Sequence, residues 1–179
     1  PATAQRDEKR ARQSYDQALK FEAQGKPADA IRQLSDALAA DPGMFVALRR
    51  RGNLYLAARQ FKEAAQDFTD ATRLKPGDGE SWKSLGDAQL ALGDRAAAAA
   101  SFQAALQHGH ETSALQRSLG DALAALGRNA EATEVYTQSI RLRLDIPETY
   151  VSRGKVYAAM GQYRDAIEDY ERALHLNND

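Results

Sequence analysis

Cysteine is absent from this chain of 179 residues, which removes disulfides, thiol catalysis and thiolate metal sites from consideration. An excess of positive charge is missing too. The formal net charge is −1, whereas general binders of nucleic acid or of acidic membrane surfaces carry a large basic surplus. No stretch is long and apolar enough to span a bilayer, and the opening residues PATAQRDEKR are too charged for the core of a signal peptide. No Asn-x-Ser/Thr acceptor occurs either. These absences argue against a nucleic-acid partner and against membrane insertion, and they favour the cytoplasm. What the chain has instead is 43% hydrophobic and 27% charged residues, the mixture of a folded soluble protein and not of a disordered one.

Signs of catalysis are equally sparse. No glycine-rich loop ends in Gly-Lys-Ser/Thr, and Gly77-Asp78-Gly79 reads as an ordinary turn. Serines occur without a His and an Asp that would gather around them. His108-Gly109-His110-Glu111 offers three ligand types for a metal, but it falls where a turn between helices is expected, and His175 is remote from it and reads as a surface residue. Residues 96–100 are all alanine, a strong helix former at a close-packing face. No catalytic residue, metal site or cofactor is expected.

The positive signal is self-similarity. Gly52, Gly86, Gly120 and Gly154 stand 34 residues apart, and Ala30, Ala64, Ala98, Ala132 and Ala166 keep the same stride. Four places later a large residue repeats as Leu34, Phe68, Phe102, Tyr136 and Tyr170. Units of this length are the mark of a repeat array. Within the second unit, Leu48, Gly52, Tyr55 and Leu56 form one apolar helical stripe. Phe61, Ala64, Ala65, Phe68, Ala71 and Leu74 form another, and Pro76-Gly77 then stops the chain. A Gly or Ala at a helix crossing lets two axes approach, and the large residue fills the space beside it. Gly25, Gly93, Gly127 and Gly161 mark the turn inside each hairpin, with Arg59 in the second.

These columns resemble the tetratricopeptide repeat family over nearly the whole chain. Trp82, Leu85, Gly86, Ala98, Phe102 and Ala105 follow its pattern in the third unit, and Tyr150, Gly154, Tyr157, Ala166, Tyr170 and Ala173 in the fifth. Departures are Gln17-Ala18 for Leu-Gly, Gln89 for Tyr, and His110, Leu144 and Asn178 for the closing Pro present at Pro42 and Pro76. The resemblance implies an all-α fold, a right-handed α-solenoid of antiparallel helix-turn-helix repeats. Its units would be 11–44, 45–78, 79–112, 113–146 and 147–179, forming a single array, with residues 1–10 lengthening the first helix. It also implies a non-catalytic protein-interaction scaffold that receives a peptide segment in a concave groove built from the first helix of each unit.

The family's groove columns translate into Tyr15, Arg49, Lys83, Arg117 and Val151, then Leu19, Asn53, Asp87, Asp121 and Lys155, then Glu22, Leu56, Leu90, Ala124 and Ala158, over a column that is all alanine. The partner-binding set is therefore Tyr15, Leu19, Arg49, Asn53, Leu56, Lys83, Asp87, Leu90, Arg117, Asp121 and Lys155. Its basic row points to an acidic partner segment. The plainer alternative is that Lys83 with Asp87, and Arg117 with Asp121, satisfy each other at i,i+4 on a solvated face. The two-carboxylate clamp of the family's chaperone adaptors is absent: Arg49 and Asn53 imitate its first pair, but Ser84, Ala114 and Ser118 stand at its other positions. The second unit is the most basic, with seven Arg/Lys against four Asp/Glu. Arg49 reads there as a groove residue and Arg51 as ordinary surface charge.

After the fifth unit the chain stops at LNND without the polar capping helix that arrays usually carry. Ala166, Ile167, Tyr170 or Leu174 would then be exposed, and the expectation that follows is either a self-associating array, a homo-oligomer through this face, or the interaction domain of a larger enzyme or complex.

Overall fold

The computed structural model describes residues 2–178, with side chains from residue 5 onward. Every regular element among these residues is a helix. The chain forms two compact units, one ending at Ala88 and the other beginning at Gln89. The first holds α1 (Ala2–Ala23), α2 (Pro27–Ala40), α3 (Phe45–Ala57), α4 (Phe61–Leu74) and most of α5 (Gly79–Ala91). The second holds the end of α5, then α6 (Arg95–Gln107), α7 (Ser113–Ala125), α8 (Asn129–Leu142), α9 (Pro147–Ala159) and α10 (Tyr163–Asn178).

Local chemistry sets where the helices start and stop. Asp94 accepts the Ala97 N–H at 3.0 Å and Thr112 accepts that of Leu115 at 3.1 Å, so each caps the helix that follows. Pro27 and Pro147 stand in the first turn of their helices, where a missing N–H leaves no bond unmade. The turn inside the second hairpin repeats the one inside the third. The Arg59 N–H reaches the Leu56 carbonyl at 3.0 Å with φ +59°, as Gly93 reaches Leu90 at 3.0 Å with φ +85°. Three-residue turns of this kind join the two helices of every hairpin.

Packing follows the repeat columns. In the first unit Ala18, Ala30, Leu34, Leu38, Ala47, Leu48 and Ala71 form one buried cluster, and Ala64, Phe68, Leu85 and Ala88 another. In the second, Phe102, Leu115, Leu119, Leu123 and Tyr136 are all but inaccessible. The glycine column exists because of the aromatic one. A Cβ at Gly52 would lie 2.9 Å from the Phe68 ring, and one at Gly120 only 2.6 Å from Tyr136. Both are closer than carbon atoms approach one another.

Two features depart from expectation. Arg51 is not ordinary surface charge. Its guanidinium makes a two-pronged pair with Asp67, Nε to Oδ2 at 2.8 Å and Nη2 to Oδ1 at 2.7 Å, and Nη1 donates to the Ser35 hydroxyl at 3.0 Å. Two places after Arg49 the helix has turned about 200°, which aims this side chain at α4 and α2. Burial pushes the Asp67 carboxyl up and the Arg51 hydrogen bonds pull it back. The same clasp recurs in the second unit, where Arg153 holds Asp169 at 2.9 and 2.7 Å and the Thr137 hydroxyl at 2.8 Å. The other departure is on α10. Ala166 is buried, since the small-residue column faces the crossing with α9 near Gly154, whereas Ile167, Leu174 and also Tyr163 are more than half exposed.

Candidate functional site

Helical spacing places Tyr15, Leu19 and Glu22 along one face of α1, and Val46, Arg49, Arg50 and Asn53 along one face of α3. Between these faces lies a cavity of about 440 Å³, lined by Tyr15, Glu22, Val46, Arg49, Arg50, Asn53 and Leu54. Three predicted groove residues, Tyr15, Arg49 and Asn53, thus meet at one place. Tyr15 and Leu54 rest on the core cluster beneath. The Asn53 amide is exposed and makes no hydrogen bond among the described residues.

Both arginines already hold carboxylates. Arg50 Nε donates to Glu22 Oε1 at 2.6 Å. The hydrogen bond to Glu22 pushes the guanidinium further up, burial opposes it, and a bond with Tyr15 adds to the rise. Arg49 donates to Glu80, lies 3.6 Å from Asp78 Oδ1, and stands over the Phe45 ring at 5.6 Å. Asp78 is also the cap of α5, accepting the Ser81 N–H at 2.9 Å and the Ser81 hydroxyl at 2.5 Å. Asp78 and Glu80 escaped attention in the sequence, and Glu22 was read only as a groove position, because chain separation from the arginines hides the pairing. Arg50 was discernible only as the residue beside Arg49.

Other predicted residues of the first unit are engaged elsewhere. Leu19 is half-buried and does not line the cavity. Leu56 packs on the cluster around Phe68. Lys83 pairs with Asp87 at 2.7 Å, the self-satisfied i,i+4 arrangement. Ser84, at a clamp position, is buried.

In the second unit Leu90 and Arg117 are half-buried, while Asp121 and Lys155 are exposed. The expected Arg117–Asp121 pair does not form. Asp121 Oδ1 instead accepts the Tyr136 hydroxyl at 2.6 Å. Burial, then the Asp121 carboxylate, holds the Tyr136 phenol well above its usual range. Arg117 and Lys155 make no ion pair among the described residues. The alanine column, Ala23, Ala57, Ala91, Ala125 and Ala159, is exposed in every repeat. His108 ends α6 and His110 donates its N–H to the Ala105 carbonyl at 3.0 Å, so this segment is a helix-closing turn.

No helix among the described residues is long and apolar enough to cross a membrane. A search of curated protein sequences finds no match. Among solved structures, a MamA crystal structure aligns with a TM-score of 0.86 at 23% identity, covering 90% of this chain and 94% of that one. YrrB, described as a TPR protein with an unusual peptide-binding site, aligns at 0.86 with 21% identity, covering 93% of this chain and 86% of its own. MamA from Desulfovibrio magneticus RS-1 aligns at 0.85 with 15% identity, covering 94% and 96%. These likenesses establish the all-α solenoid fold. Tetratricopeptide repeat models match residues 15–79, 83–143 and 147–179, so the residues that keep the 34-residue stride are family columns, and the chain belongs to the tetratricopeptide repeat family, whose fold serves protein–protein interaction.

Proposed function

We propose that this chain is a non-catalytic scaffold that holds an extended segment of a partner protein along the first helices of its repeats. The observation that carries the reading is the cavity between α1 and α3, where two arginines, an open Asn53 amide and the apolar edges of Tyr15, Val46 and Leu54 converge. Such a surface suits a peptide. The amide serves the partner's backbone, the guanidinium groups serve acidic side chains, and the apolar edges take an aliphatic one. The exposed alanine column supports it, because small side chains admit a backbone closely. The peptide-binding site ascribed to YrrB supports it by analogy of fold.

The test is capture of a partner by the wild type and by the triple variant Arg49→Glu, Lys83→Glu, Arg117→Glu. Loss of capture is expected, with helicity and melting unchanged. Equal capture by the variant would move the site elsewhere.

A second reading, self-association, is favoured by α10. Tyr163, Ile167 and Leu174 are 67%, 56% and 63% exposed. Their spacing puts all three on one stripe of the helix.

A further inference from the structure

The two arginines of the cavity between α1 and α3 already hold acids, Glu22 within the lining and Asp78 and Glu80 beyond it, and these differ in what else they do. Asp78 is committed to capping α5 through its two bonds to Ser81. The carboxylates of Glu22 and Glu80 have no partner but Arg50 and Arg49 among the described residues. The Glu80 side chain is 54% exposed, so it can swing into solvent without breaking any other contact. The two guanidinium groups sit on consecutive residues of α3 and both face the cavity. A segment that enters must either leave these cations half-buried and unpaired, which is costly, or bring acids of its own.

We propose that this cavity takes an acidic peptide whose two carboxylates replace Glu22 and Glu80, so that the chain's own glutamates hold the site closed and set its affinity. The proposal rests on the reading that the groove receives a peptide. The exchange trades one ion pair for another and gains little Coulomb energy. Net attraction therefore comes from covering Tyr15, Val46 and Leu54 and from the bond to Asn53. The acids confer selection, since a neutral peptide displaces the glutamates without replacing them.

The experiment uses labelled decapeptides that carry two glutamates at varied spacing among leucines, with glutamine versions as controls. Fluorescence anisotropy titrates each against the full chain, Glu22→Gln, Glu80→Gln, the double variant, and Arg49→Ala with Arg50→Ala. An ion pair that keeps part of its solvent is weak, so each single glutamine substitution is expected to tighten acidic-peptide binding about two- to fivefold. The double variant should tighten it by about the product. The glutamine peptides should bind the wild type and every glutamine variant more weakly than the acidic ones do, and the arginine variant should lose the preference for acid. Glutamine is isosteric with glutamate, and a circular-dichroism melt verifies the fold of each variant. Acidic peptides that bind the wild type, yet bind the glutamine variants no more tightly, overturn the closure by Glu22 and Glu80 and leave the groove reading standing. Peptides that bind neither the wild type nor the double variant overturn both.

Discussion

At residue 59 the second hairpin turns on an arginine where the other four use glycine. Arg59 sits at φ +59°, beside values of +69° to +85° for Gly25, Gly93, Gly127 and Gly161. Left-handed backbone costs an L residue about 1–2 kcal/mol, and a glycine there returns about 0.4–1 kcal/mol through a freer unfolded chain. Arg59→Gly is expected to raise stability by about 0.5–1 kcal/mol, or about 2–3 °C in melting midpoint. Thermal circular dichroism reads this directly, and a lower midpoint would mean that the arginine side chain contributes more than the strain removes. The conformation was legible beforehand, because a column of glycine at a fixed stride marks a backbone requirement and one exception inherits it. The partner of Asp121 was not. Arg117 is its nearest cation in sequence, but Tyr136 comes from the facing helix, buried to 1% exposure, and its hydroxyl needs an acceptor at the rim.

At the scale of the element, each clasp fastens three helices. Arg51 on α3 holds Asp67 on α4 and Ser35 on α2, and Arg153 on α9 does the same with α10 and α8. Asp67 is 2% exposed, so its removal strands a half-buried guanidinium. Asp67→Ala is expected to cost about 2–3 kcal/mol, less than the ~3–5 kcal/mol for breaking a fully buried pair, because Arg51 keeps some solvent. The chain contains its own apolar alternative. Leu119 and Val135 occupy the equivalent positions of the fourth repeat. Arg51→Leu combined with Asp67→Val should therefore recover most of that loss, since replacing both members of a pair by packed apolar residues is often close to neutral. Urea denaturation of the single and double variants measures it. A double variant as unstable as Asp67→Ala would mean that the third bond, to Ser35, carries the clasp.

For the whole molecule, the question is whether one chain acts alone. Within the apolar stripe on α10, Leu174 corresponds in register to positions that two earlier repeats bury. Leu38 and Ile140 stand where Leu174 does, and both are under 10% exposed. The self-association reading expects sedimentation equilibrium to show a concentration-dependent increase in mass. Ile167→Asp with Leu174→Asp should abolish it while the melt stays within about 1 kcal/mol of wild type, as surface changes usually do. A wild-type chain that stays monomeric at high concentration removes the reading.

The sequence by itself determined the repeat, the helix pairs, the buried columns and the turn residues. All of these follow from spacing along one chain, and a stride of 34 residues forces identical local geometry on identical positions. It also named the face on which Tyr15, Arg49 and Asn53 lie. Only the tertiary structure decided which charges are free. Arg49, Arg50 and Arg51 are neighbours in sequence, yet a helix turns about 100° per residue. One therefore meets Glu80, the next Glu22 and the third Asp67, on three different helices. Whether a charge waits for a partner or already has one depends on what crosses the helix in space, and that is not written in the spacing.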